Sequence, residues 1–223
     1  MKKPSIPHVR ALIFDLDGTL IDSKRDLVTS VNAMLGRLGR GELPEDVIAS
    51  YVGSGAPVLV KRALGPEATE DQVKKGLAVF LEHYEEHKLD TTRAYPGVET
   101  TLPKLTGYLL AVLTNKPSRA SLRILEGLGL SGYFKSIYGG NSFETKKPDP
   151  LGARTILRDF DVAPGQALMV GDSEVDVQTA RNAGIRAVVV NYGFGSHDRK
   201  AYPADVYLDK FEDLPLLLNH QTG

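Results

Sequence analysis

Short continuous apolar runs alternate with amphipathic stretches along most of the chain. Runs at 11–14, 109–113, 167–170 and 187–190 read as buried strands of a parallel sheet, and 134–138 and 206–208 are weaker strand candidates. Helical spacing falls between them at 98–105, 118–128, 151–160 and 175–183. Gly184 is placed to stop the last of these, and Pro103 to kink or shorten the first. Strands alternating with helices predict right-handed crossovers and an α/β fold, a doubly wound parallel sheet covered on both faces. One segment breaks this rhythm. Leu27, Val31, Met34, Leu35 and Leu38 recur at helical spacing after Ser23 and Asp26, which are paired like a capping box. Glycines 36, 39 and 41 end that helix, and Pro44 suits the first turn of a second running through Val47 and Ile48. After the break Tyr51-Val52-Gly53-Ser54-Gly55-Ala56-Pro57 comes a short helix at 58–64. Thr69 and Gln72 then cap a helix carrying Val73, Leu77, Phe80, Leu81 and Tyr84. No strand is expected from 21 to 91. The domains are therefore an α/β core of residues 1–20 and 92–223 and an all-helical insertion of residues 21–91.

Composition narrows the classes of function. The 223 residues can bury a sizeable core, and 27 Lys+Arg against 28 Asp+Glu give a net charge of -1. That balance offers no field for nucleic acid or an anionic membrane, and no apolar run is long enough to span one. The basic start Met1-Lys2-Lys3-Pro4-Ser5 precedes too short an apolar stretch for a signal peptide. Without cysteine, disulfides and thiolate chemistry are excluded, so a cytoplasmic protein acting on small molecules is expected.

The chemistry sits just beyond the end of each strand. The first run leads into Asp15-Leu16-Asp17-Gly18-Thr19, the 109–113 run into Thr114-Asn115-Lys116-Pro117, and the 167–170 run into Gly171-Asp172-Ser173-Glu174-Val175-Asp176. In an extended chain residues i and i+2 point the same way, so Asp15 and Asp17 are expected to converge at the crevice beyond the strand ends. Carboxylates that close repel unless a cation or shared proton intervenes. A loop, Lys146-Lys147-Pro148-Asp149-Pro150, adds positive charge. Convergent carboxylates without His or Cys select a hard, oxygen-loving cation, Mg²⁺ by default. A carboxylate can attack phosphorus, and a second can act as general acid and base. The inventory fits phosphoryl transfer.

In order and type, Asp-x-Asp-Gly-Thr, a strand ending in Thr-Asn, Lys-Pro-x-Pro and Gly-Asp-Ser-x-x-Asp resemble the signature of the haloacid dehalogenase superfamily of phosphohydrolases. That resemblance implies a Rossmann-like core, with the insertion as a helical cap. Val52-Gly53-Ser54-Gly55-Ala56, Lys61-Arg62-Ala63-Leu64, Leu113-Thr114-Asn115-Lys116-Pro117 and Lys146-Lys147-Pro148 are similar to phosphoglycolate phosphatases. Carried over residue by residue, the resemblance makes Asp15 the nucleophile and a Mg²⁺ ligand. Asp17 is the general acid/base, with its backbone carbonyl on the metal. Thr114 and the Asn115 amide hold the phosphoryl group, and Lys147 neutralises nucleophile and phosphate together. Asp172 is the side-chain metal ligand, with Asp176 and Ser173 behind it orienting Lys147 or a metal-bound water. Gly53, Ser54 and Gly55 form a substrate loop, and Arg62 is a candidate for a substrate carboxylate.

The expected partner is a small phosphorylated metabolite, 2-phosphoglycolate first, with no nucleic acid and no membrane; the chain is expected as a monomer or homodimer. Rivals are a phosphomutase of the β-phosphoglucomutase type, a pyrophosphatase, a haloacid dehalogenase and a non-catalytic phosphate binder. His8, His83, His87, His197 and His220 have no motif context and read as exposed. His83 and His87 stand at metal-ligand spacing, but an acidic run between them marks a solvated face. Gly193-Phe194-Gly195 is placed at the rim of the site, or is an ordinary turn.

Overall fold

The computed structural model of the chain describes Ile6, residues 8–195 and residues 197–218; the basic start and His220 lie outside the described residues. Eight strands are present among them. They are β1 (Ala11–Phe14), β2 (Ile21–Asp22), β3 (Arg93–Ala94), β4 (Leu109–Leu113), β5 (Ser136–Tyr138), β6 (Ala167–Gly171), β7 (Arg186–Val190) and β8 (Val206–Leu208). Six form one sheet in the order β5-β4-β1-β6-β7-β8, every pairing parallel. β1 lies at its centre because all four of its side chains are apolar and fully buried. The alternation of side chains across a strand divides the core in two. Leu12, Phe14, Leu110, Val112, Leu168 and Val170 face one layer, while Ala11, Ile13, Ala111, Ala167 and Met169 face the other. Alanines on the second face allow close approach of the helices that cover it.

Helices α1 (Lys24–Arg37), α2 (Glu45–Ser50), α3 (Ala56–Leu64) and α4 (Glu70–His87) occupy the segment between β2 and β3. α4 carries the Thr69–Gln72 capping box read from the sequence. The others are α5 (Val98–Thr101), α6 (Ser118–Gly127), α7 (Leu151–Asp159), α8 (Glu174–Ala183) and α9 (Leu214–Leu217). α5 passes into a 3₁₀ turn at Leu102–Leu105, where Pro103 removes a backbone donor. Gly184 ends α8 with a left-handed φ of 75°. α7 and α8 cover the alanine-rich face, and α5 and α6 cover the other.

Two local expectations are corrected. The segment 21–91 does contain a strand: β2 pairs antiparallel with β3, with Ile21 opposite Ala94 and Asp22 opposite Arg93. Two residues are too few to carry a periodic signal, so both passages of chain between the sheet and the helical segment run side by side unannounced. The Ser23–Asp26 capping box does not form either. Ser23 turns its hydroxyl to Asp17, 2.5 Å away. Asp26 instead accepts hydrogen bonds from the backbone N–H and hydroxyl of both Thr91 and Thr92.

This clasp closes the base of the helical segment. Burial alone would raise the Asp26 carboxyl, but the donated hydrogen bonds hold it below the ordinary carboxylate range. Asp26→Ala is therefore expected to destabilise the fold by about 2–4 kcal/mol at pH 7 in urea denaturation. Because the folded-state pKa is depressed, that contribution is present above the ordinary value of about 3.9. It is lost as pH falls through the folded value, so the gap to wild type should narrow in acid.

Candidate active site

The register of β1 with β4 and β6 brings three strand ends together. Phe14 lies opposite Val112 and Val170, so the next residues of each strand emerge side by side. The Asp15 backbone N–H is anchored to the Val170 carbonyl at 2.9 Å, and that of Thr114 to Tyr138 at 3.0 Å. Asp172 comes directly after Gly171 at the end of β6, and Asp176 lies in the first turn of α8. The carboxylates of Asp15, Asp172 and Asp176 thus gather with one oxygen of each within 4.8 Å of the others, all three buried.

Lys147 stands among them. Its Nζ lies 2.9 Å from Asp15 Oδ1 and 2.7 Å from Asp176 Oδ1. Asp176 Oδ2 in turn accepts from the backbone N–H and hydroxyl of Ser173, at 3.1 and 2.7 Å. Burial alone would drive the Lys147 ammonium down, yet Asp15 and Asp176 together push it up to about 12. Burial pushes the Asp15 carboxyl up to about 6, with Lys147 opposing and Asp176 adding to the rise. Asp172 is raised well above the ordinary range by burial, then by Asp176 and Asp15. Lys146, its neighbour in the loop, is exposed.

Ionised together, the three carboxylates against one ammonium leave two negative charges in a buried space, which one divalent cation would balance. Asp15 Oδ1 faces Lys147 outside hydrogen-bonding geometry and has no other donor. A ligand set made of carboxylate oxygens suits a hard divalent ion, which would lower every raised carboxyl in the cluster. The residues fit such an ion.

Glycine packing shapes this cradle. A Cβ on Gly18 would stand 2.0 Å from Asp172 Oδ2, and one on Gly193 2.3 Å from Asp172 Cβ. The Gly195 N–H donates to Asp172 Oδ2 at 2.7 Å. The glycines placed at the rim therefore fix the third carboxylate. Gly18 also has φ +82°, a conformation that strains any other residue. Gly18→Ala is expected to lower kcat/KM by at least about 10²-fold, since the new methyl displaces a cluster carboxylate. Gly39→Ala, at φ +69° with open space around it, should cost about 1 kcal/mol in a thermal melt and leave turnover unchanged.

Asp15 and Asp17 both reach the crevice beyond β1, as alternation predicts, but they enter different ion pairs. β1 ends at Phe14 and the chain turns at Leu16, whose carbonyl accepts from Leu20 and Ile21. Both aspartates border one cavity of about 440 Å³, but different lysines hold them. Asp17 takes Lys116 Nζ at 3.0 Å on each oxygen. Its side chain stands outside the Asp15–Asp172–Asp176 cluster.

Thr114 and Asn115 are buried at the cavity wall. The Asn115 Nδ2 is committed to the carbonyls of Gly53 and Lys147, at 2.9 and 3.0 Å. Its side-chain amide thus ties the glycine loop to the lysine loop and is not free for a phosphoryl oxygen. Gly53 and Gly55 line the cavity. Arg62 is exposed, directed at the Tyr51 carbonyl, and is not brought to the site. Ser54 is half-buried and is not among the lining residues. The described histidines are not among the cavity's lining residues: His83 and His87 stack on each other at 4.3 Å. Contrary to expectation they and His197 are half-buried rather than exposed, and His197 bonds the Tyr202 carbonyl at 2.8 Å.

Lys116 is what sequence reasoning missed. It comes straight after Thr-Asn in the motif, but 99 residues separate it from Asp17, and no local pattern pairs them.

A parallel sheet whose central strand ends in a buried carboxylate cluster belongs to a known class of hydrolases. Residues 12–190 match the family model described as haloacid dehalogenase-like hydrolase, and the chain belongs to that family. Its relatives include a phosphoglycolate phosphatase of Neisseria meningitidis serogroup A, 41% identical over 86% of this chain and 84% of the relative. A plasmid phosphoglycolate phosphatase of Cupriavidus necator is 40% identical over 98% of this chain and 96% of its own length. Among solved structures, a predicted phosphoglycolate phosphatase from Haemophilus somnus aligns with a TM-score of 0.88 at 34% identity, covering 93% of this chain and 97% of the other. Among the described residues no helix is long and apolar enough to cross a membrane.

Proposed function

We propose that the chain is a Mg²⁺-dependent phosphomonoester hydrolase acting on a small phosphorylated metabolite through an aspartyl-phosphate on Asp15, with 2-phosphoglycolate the leading substrate. The observation that carries this reading is the cluster of three buried carboxylates around Lys147, opening beside a cavity that Asp17 also borders. The names borne by the relatives of Neisseria and Cupriavidus support the substrate.

Asp15, Asp172 and the backbone carbonyl of Asp17 would hold the ion, which supplies charge neutralisation for a phosphate dianion brought to a carboxylate. Asp15 attacks phosphorus as the ester P–O bond breaks, and Asp17 gives its proton to the leaving oxygen. Asp17, now a carboxylate, takes a proton from the water that attacks the phosphoryl group, releasing phosphate and regenerating Asp15. Lys147, held in place by Asp176, neutralises the phosphoryl oxygens, and Thr114 supplies a hydroxyl to them. Residues 21–91 act as a cap over the cavity, closing to exclude water and opening to release product.

The test is phosphate release from a panel of phosphorylated metabolites with and without Mg²⁺. Ion-dependent release, strongest from 2-phosphoglycolate, is expected; an isomerised phosphate ester with no free phosphate would replace this reading with a mutase.

A further inference from the structure

Resting on the phosphatase reading, the geometry points to a specificity residue: we propose that Lys116 receives the carboxylate of the substrate's leaving group. The cavity beside Asp15 is walled largely by Leu27, Val52, Leu59, Phe80 and Leu81. Such a wall gives an anionic leaving group nothing to bind. Among the described residues that line it, the cations are Lys116 and Arg119. The side chain of Arg119 is 80% exposed and turned toward Glu85, whereas that of Lys116 is 4% exposed. Lys147 already serves Asp15 and Asp176.

Lys116 is built into its position. Its Nζ sits 4.5 Å from the centroid of the Tyr84 ring, which is itself stacked on Phe80 at 5.6 Å. An ammonium has three N–H groups, and two are directed at the Asp17 oxygens, so one remains for a ligand. The buried Tyr84 hydroxyl interacts with the Lys116 ammonium but has no partner in strict hydrogen-bonding geometry. A donor beside a buried cation suits the two oxygens of a carboxylate.

The pairing with Asp17 gives the site its logic. An Asp17 carboxyl turned to the leaving oxygen no longer covers Lys116, and a buried ammonium stripped of its partner is strongly unfavourable. A carboxylate on the leaving group takes Asp17's place. A neutral leaving group leaves Lys116 uncovered, so the acid stays on the lysine. The cavity thus selects esters whose alcohol carries a carboxylate near the ester oxygen.

The test compares kcat/KM for 2-phosphoglycolate and ethyl phosphate, with Mg²⁺, in wild type and Lys116→Met. Wild type is expected to prefer 2-phosphoglycolate by about 10²-fold or more, and the variant to lose most of that preference, chiefly through a raised KM. Equal losses on both esters would overturn the proposal, because they would mean that Lys116 acts through Asp17 alone. A wild type that turns over both esters equally also overturns it while leaving the phosphatase reading intact. Wild type releasing phosphate from neither ester would sink that reading and the proposal together. Should the variant fail to fold, a crystal structure of wild type with phosphonoacetate decides: a carboxylate on Lys116 Nζ supports the assignment, and one on Arg119 or Lys146 overturns it.

Discussion

Asp15→Asn is expected to lower turnover by at least about 10⁴-fold while leaving the fold intact. The amide is nearly the same size but cannot attack phosphorus. It also cannot contribute a carboxylate oxygen to an ion shared with Asp172. The effect on stability has the opposite sign to the effect on activity. Burial pushes the wild-type carboxyl up to about 6, so its ionised form is disfavoured in the folded chain. That penalty builds as pH rises from the ordinary carboxylate range through about 6 and is constant above. With Mg²⁺ chelated, the variant should therefore melt no lower than wild type at pH 8. Thermal melts beside single-turnover assays check both halves.

Lys147→Met has the second largest effect, and here stability and activity fall together. The ammonium bridges Asp15 and Asp176 with a side chain only 2% exposed. Removing it leaves three buried carboxylates facing one another, a loss of about 3–5 kcal/mol at neutral pH. Protonation relieves the repulsion, so the deficit should shrink toward pH 5, where the raised carboxyl of Asp15 takes up its proton. Mg²⁺ should restore part of the lost stability at pH 7 by replacing the missing positive charge. Turnover is expected to fall by about 10²–10⁴-fold and not to recover in acid, because the phosphoryl oxygens have lost their cation. A denaturation series over pH with and without Mg²⁺ separates these effects.

The sheet was legible in the sequence because its strands are continuous apolar runs, and a central parallel strand has no polar face to disguise it. The cluster was legible for the same reason: three of the runs end abruptly in residues that carry chemistry. That those ends share one edge of the sheet followed from parallel topology; their order across it is a finding of the structure. The missing parts depend on contacts between distant residues. Asp26 looked like half of a capping box, yet its partners lie 65 and 66 positions away. Asp17 looked like a twin of Asp15, and only the turn at Leu16 directs it to Lys116. Asn115 carried the polarity expected of a phosphate contact, but two carbonyls hold its Nδ2. Gly193 and Gly195 could be placed at the rim of the site, but nothing in their spacing reveals Asp172 beneath them.

The central claim is that Asp15 carries the phosphoryl group during turnover. Enzyme in excess over 2-phosphoglycolate, with Mg²⁺, can be quenched in acid within a single turnover, digested and analysed by mass. One phosphoryl increment on the peptide containing Asp15, appearing before free phosphate and decaying as it accumulates, is the predicted result. Phosphate released with no covalent species at any time, or an increment on another residue, would contradict it.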